Sequence, residues 1–124
     1  MLKGIIETES LKDVKVLDIV HIIRSYKEKH PEDELGVWTI NKVEVSKIKY
    51  QEILESISKK MDAGWYSLFW DSKKVYIVFK DKFFIISNVN PWKPSEFKNL
   101  VNYGVKQGVR QVYWDQLRNS MDNW

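Results

Sequence analysis

Residues 64–88, Gly-Trp-Tyr-Ser-Leu-Phe-Trp-Asp-Ser-Lys-Lys-Val-Tyr-Ile-Val-Phe-Lys-Asp-Lys-Phe-Phe-Ile-Ile-Ser-Asn, hold three short runs of aromatic and β-branched residues. Polar pairs at Asp71-Ser72 and Asp81-Lys82 separate the runs. Such side chains fit a pleated, half-buried surface, and the breaks suffice only for antiparallel hairpins. A three-stranded meander is therefore predicted as one wall of the hydrophobic core. Alternation puts Trp65, Phe69, Val75, Ile77 and Phe79 on one face, and Tyr66, Leu68, Trp70, Tyr76 and Val78 on the other.

Ahead of the meander, residues 2–8 read as a short strand. Residues 14–28 begin with Val14, Val16, Leu17, Ile19, Val20, Ile22 and Ile23. Branched side chains lose rotamer freedom in a helix, so this run also reads as a strand, with a buried helix as the alternative. His30-Pro31-Glu32-Asp33-Glu34-Leu35-Gly36 is a solvated loop. Residues 37–45 alternate again, with a change of phase at Asn41-Lys42 that suggests a bulge. Together, 14–28 and 37–45 would make a long hairpin.

Ser46 is placed to cap a helix in which Tyr50, Ile53, Leu54, Ile57 and Met61 form an apolar stripe, ended by Gly64. After the meander, Ser95 caps a second helix with Phe97, Leu100, Val101 and Val105 on its buried face and Gly108 at its end. Gly104 lies on that same face. A helical glycine costs about 1 kcal/mol relative to alanine, and it leaves room for a backbone or a large ring. Residues 109–117 are apolar enough to dock, and 119–124 are expected as a loose tail. The expected class is α+β: one domain, residues 1–124, with a mainly antiparallel sheet of five to six strands and both principal helices on one face. The other face would then be wet, self-associated or occupied.

Composition removes several functions. The 124 residues include no cysteine, which excludes disulfides, thiolate metal sites and cysteine nucleophiles. No apolar run approaches the roughly 20 residues of a membrane span, and the N-terminal residues carry acidic groups where a signal peptide stays apolar. A cytoplasmic location and no membrane partner are expected. The net charge of +3 implies no strong phosphate-tracking surface. Scattered glycines form no phosphate cradle, so no nucleotide cofactor is expected.

Catalytic and metal signals are thin. His21 sits in an apolar run and reads as a sheet histidine; an enzyme built on it with a carboxylate or Tyr26 is the least supported reading. His30, Glu32, Asp33 and Glu34 supply ligand-type atoms, but their spacing matches no calcium loop, and a solvated acidic turn explains them. Neither catalytic residues nor a metal site are assigned.

Trp38-Thr39, Gly64-Trp65-Tyr66, Val78-Phe79 and Tyr103-Gly104, in that order, resemble a family of small prokaryotic proteins of unknown function. The resemblance spans roughly residues 37–118 and implies the fold just described. It brings no activity.

What remains is an aromatic surface. Trp65, Tyr66, Trp70, Tyr76 and Trp38 are the candidate contact residues for a homodimer, a protein partner or a small apolar ligand, since one apolar face of the meander would otherwise be too large to leave exposed. The long hairpin or the C-terminal tail could also cover it. Lys73, Lys74, Lys80 and Lys82 flank the same rings, so single-stranded nucleic acid, stacked on aromatics with lysines at its phosphates, is the alternative partner. The expected function is a non-enzymatic binding or association module.

Overall fold

The meander forms, and it lies at one side of a wider sheet. The computed structural model describes residues 1–124. Strands Leu2–Glu7 (β1), His21–His30 (β2), Gly36–Val45 (β3), Ser67–Trp70 (β4), Lys74–Phe79 (β5) and Lys82–Ser87 (β6) pair in the order β2-β3-β1-β4-β5-β6. Every neighbouring pair is antiparallel. The helices are Tyr50–Lys59 (α1), Pro94–Lys106 (α2), Gln111–Asp115 (α3) and Leu117–Asp122 (α4). The class is α+β, with α1 and α2 as the principal helices.

Both helices were expected on one face; they lie on opposite faces. Leu54 and Ile57 of α1 pack with Phe69, Tyr76 and Val78 of the meander and with Leu2, Ile6, Val43 and Val45. Leu100 of α2, with Trp114, Leu117 and Met121 of α3 and α4, packs on Leu68, Trp70, Val75, Ile77, Phe79 and Ile86. The reason is written in β4 and β5, which are buried at every position but one. A strand that is apolar on both sides needs cover on both sides. The C-terminal segment therefore closes the face that would have been left open.

The register of the β4–β5 hairpin also differs from expectation. Trp70 pairs with Val75 and Phe69 with Tyr76, so Leu68 and Trp70 share a face with Val75 and Ile77, and Phe69 shares one with Tyr76. The Asp71 carboxylate accepts from the Lys73 and Lys74 backbone N–H groups, both at 2.8 Å. This makes a longer loop than the Asp71-Ser72 pair alone implies, and a one-residue change in register swaps the faces.

Residues 14–28 divide. Val14–Ile19 is a 3-10 helix whose N-cap, Asp13, accepts from the Lys15 N–H at 3.0 Å. It tucks Val16 into the α1-side core. Only from His21 does the chain become strand, and it then forms the long hairpin with β3. The bulge falls on β2, between Ile22 and Arg24, opposite Val43 and Lys42. Asn41 stays in register because its buried amide donates to the Ile6 carbonyl and the Thr8 hydroxyl, both at 2.9 Å.

Residues 119–124 are not a loose tail. Leu117 and Met121, one helical turn apart, bury together in α4. The Trp124 indole N–H donates to the Gly4 carbonyl at 3.0 Å, and the Lys42 ammonium donates to the carbonyls of Asn123 and Trp124 at 3.0 and 2.9 Å. The second helix begins at Pro94, two residues earlier than a Ser95 cap would give, so Ser95 lies within its first turn and Lys93 is the N-cap; a missing N–H at Pro94 does no harm there. Val105 is exposed rather than buried.

Candidate functional site

On the face that carries α2–α4, cover is tight over β4–β6 and incomplete over β1–β3. Cross-strand pairing sends Ile5 and Glu7 of β1 to this side together with Lys42 and Ile40 of β3. Trp38 of β3 and Tyr26 and Glu28 of β2 join them by the same alternation. Between this surface and α3–α4 lies a cavity of about 390 Å³. A second chamber, about 130 Å³, opens beside it and is walled by Trp38, Trp65, Tyr66 and Tyr113 with Glu7 and Asp33. Glu7 and Tyr66 line both chambers, and also a small third one.

Glu7 is the last residue of β1. Its side chain runs inward, and its oxygen Oε2 is sealed from solvent with no hydrogen-bond partner in the protein. Burial pushes its carboxyl up to about 8, with repulsion from Glu28 and Glu9 adding to the effect and a hydrogen bond from its own backbone opposing it. At neutral pH the group is a carboxylic acid, able to donate one hydrogen bond and accept others. Beside it, the Tyr66 hydroxyl donates to the Tyr113 carbonyl at 3.3 Å, and its ring stacks on Trp114 at 4.9 Å between centroids. Burial raises the Tyr66 phenol far above its usual range.

The mouth of the cleft is held by the β2–β3 turn. His30 stacks on Trp38, with centroids 3.6 Å apart. Its Nε2 lies 2.6 Å from Glu28 Oε1 and its Nδ1 3.0 Å from Glu32 Oε2. The Tyr113 hydroxyl donates to the same Glu32 oxygen at 3.1 Å, and Arg110 Nη1 donates to the Glu32 carbonyl at 2.7 Å. The Trp38 indole N–H donates to Asp33 Oδ2 at 3.0 Å. Hairpin and α3 are thus fastened across residues 30–33 and 110–113. Desolvation works against the Glu32 carboxylate, but hydrogen bonds from its own backbone, His30 and Tyr113 outweigh it and hold the group below the usual range. Burial and the bond to Glu32 push the Tyr113 phenol up to about 12. Lys42 also reaches this face; burial and nearby Arg24 lower its ammonium, which faces the carbonyls of residues 123 and 124.

Of the residues singled out in the sequence, Trp38, Trp65 and Tyr66 come together here, with Trp38 and Trp65 4.9 Å apart between ring centroids. Trp70 and Tyr76 do not. Trp70 is 8% exposed in the α2–α4 core, edge-on to Trp124. Tyr76, 5% exposed, lies on the opposite face against Tyr50. Lys73 and Lys74 stand at one end of β5 and Lys80 and Lys82 at the other, roughly 20 Å apart at the rise of a strand. None of the four lines the cleft, and Lys82 lies over the Phe84 and Tyr103 rings instead. His21 is exposed at the start of β2, away from the cleft. The acidic turn is no simple solvated loop: His30, Glu32 and Asp33 are its fastening.

Glu7, Glu28 and Tyr113 were not singled out. Period-two alternation already puts Glu7 on the side of Ile5, an acid closing an apolar strand, and that was the available signal. Tyr66 and Tyr113 line the same chambers as Glu7, and no local pattern joins them to it. Against protein families, curated proteins and solved structures, nothing matches the chain. No helix is long and apolar enough to cross a membrane.

Proposed function

We propose that this protein is a non-enzymatic binding module for a small molecule, held in the cleft between β1–β3 and α3–α4. The observation that carries this reading is Glu7, an acid on the walls of both chambers, whose Oε2 has no partner in the protein. A buried polar group left without a partner costs about 1–3 kcal/mol; because this oxygen is closed to solvent, a ligand recovers that energy by drawing the Glu7 side chain toward it on binding. The volume suits a metabolite-sized molecule. Glu7, Tyr26, Tyr66, Asn119 and Ser120 on its walls favour a ligand with polar groups over the wholly apolar one expected. Binding is favoured over catalysis because the carboxylates suited to act as bases, Glu28 and Glu32, are engaged with His30 and Tyr113. With its lysines divided between two turns, the aromatic surface offers little to the single-stranded nucleic-acid reading.

The test is a fragment screen by protein-observed NMR, reading the indole N–H signals of Trp38 and Trp65. Fragments that shift these two signals in the wild type and lose the effect in Glu7→Leu are the expected result. Hits that perturb other surfaces only, or that bind Glu7→Leu equally well, would remove the cleft from consideration.

A self-association reading keeps one observation of its own: Val14, Ile19, Ile22 and Ile23 are all exposed where the chain enters β2. Sedimentation velocity decides it, with a concentration-dependent dimer abolished by Ile22→Lys as the supporting outcome and a monomer at every concentration as the contrary one.

A further inference from the structure

The geometry points to an organic ammonium ion, of the methylated-amine type, as the group bound in the smaller chamber, with Trp38, Trp65, Tyr66 and Tyr113 as its cage and Glu7 as its counter-charge. The inference rests on the ligand-cleft reading and names the chemistry of the ligand.

Three features combine. The chamber, about 130 Å³, has room for a head group of a few heavy atoms. Its walls are aromatic and tilted to one another: Trp38 and Trp65 meet at 59° and Trp38 and Tyr113 at 54°, with centroids 4.9 and 5.4 Å apart. Rings set at angles wall a space from several sides, and the negative π faces of Trp and Tyr attract a cation, most strongly where water is excluded. Lastly, Glu7 lines the same chamber, and its Oε2, closed to solvent, has no partner in the protein. The protein cation on this wall, Arg110, is bonded to the Glu32 carbonyl, and an ammonium ion would supply the positive charge opposite Glu7.

The charges around Glu7 favour this sign. Glu28 on β2 and Glu9 beyond β1 act on Glu7 as like charges. Asp33 of the β2–β3 turn lines the chamber as well, its carboxylate accepting from the Trp38 indole and the Leu35 N–H. On the positive side, Lys42 of β3 faces the 123–124 carbonyls, and Arg110 before α3 is bonded to the Glu32 carbonyl. His30 lies between Glu28 and Glu32, while Tyr26, Tyr66 and Tyr113 are neutral phenols. An anionic head group would meet the carboxyl side chains of Glu7 and Asp33 and an aromatic wall. A cation meets what it needs.

Because Glu7 must give up its proton to pair with a cation, binding releases a proton, and affinity rises with pH until the free carboxyl would itself be ionised. A neutral ligand of the same shape shows no such slope.

The experiment is a calorimetric titration with choline and with its neutral isostere, in which carbon replaces the quaternary nitrogen, at about pH 6 and about pH 8. Choline is expected to bind at least about tenfold more tightly than the isostere. Its affinity should rise about tenfold or more between the two pH values in the wild type and stay flat in Glu7→Gln. Trp65→Leu, at a half-buried wall position, should weaken choline without unfolding the chain. Equal binding of choline and isostere, with the Trp38 and Trp65 indole signals shifted by both, would overturn the cation and leave the cleft reading standing. No choline binding at either pH overturns the inference, and the cleft reading falls with it only if the fragment screen is silent too.

Discussion

Glu7 places a proton inside the fold, and that proton couples stability to pH. Unfolded, the carboxyl titrates near 4.5; folded, it titrates near 8. Between those values the native state keeps a proton that the unfolded chain has released. Stability from this group is therefore whole below about pH 4.5 and declines as pH rises through about 8, by at most about 5 kcal/mol. Glu7→Gln keeps the shape and cannot ionise, so its urea midpoints should stay level across this range where those of the wild type fall, and it should be the more stable protein at the alkaline end. Parallel profiles would mean that solvent reaches the carboxyl. Asp71 works in the opposite sense. Burial opposes its charge, but hydrogen bonds from the Lys73 and Lys74 backbones and from Lys47 outweigh that and hold it below the usual carboxylate range. Its contribution is present above its unfolded value and is lost on acidification. Asp71 was legible in the sequence as a turn residue because its partners are two and three residues away. The role of Glu7 was not, since strand alternation tells which side a residue takes but not what lands there.

Between elements, one glycine decides how closely α2 and α3 approach. A Cβ on Gly104 would overlap the Trp114 ring, and Trp114 in turn packs against Tyr66 and Phe79. A glycine on the buried face of the second helix already signalled a close approach; the identity of the ring was beyond reach, because Trp114 arrives only after the chain reverses at Gly108, whose φ of 96° suits glycine. Gly104→Ala should cost about 1–3 kcal/mol from overpacking, read as a lowered urea midpoint, and should alter the near-ultraviolet circular dichroism of the displaced indole. Trp114→Phe in the same background should restore part of the loss. If Gly104→Ala is neutral, the two helices are not held by this contact. The fastening of the β2–β3 turn to α3 predicts a different signature. Tyr113→Phe removes the hydroxyl bonded to Glu32, so amide exchange should quicken over residues 30–36 and 110–116 while global stability drops by no more than about 1.5 kcal/mol. Unchanged exchange there would mean that the stacked His30 and Trp38 hold the turn without it.

At the scale of the molecule, one sheet serves two cores. The run of apolar positions in β4 and β5 announced a strand pair without a solvent face, and the α+β order followed from the sequence of runs. Which helix took which face was not legible, because two amphipathic helices carry no mark of the side on which they will dock. The consequence is mechanical coupling. Phe69 belongs to the α1 core and its neighbours Leu68 and Trp70 to the α2–α4 core, so neither side can come apart without moving the backbone that the other requires. Leu54 and Leu100 are each fully buried, on opposite sides of the sheet. Leu54→Ala should cost about 2–5 kcal/mol, and native-state hydrogen exchange should show the slowest amides of α2, across the sheet, losing as much protection as those of α1. Leu100→Ala should do the same in reverse. Protection lost only on the mutated side would mean that α1 or the α2–α4 layer opens as a separate unit. The cleft would then belong to the less stable layer, and ligand binding at Glu7 would protect α3 and α4 while leaving α1 unchanged.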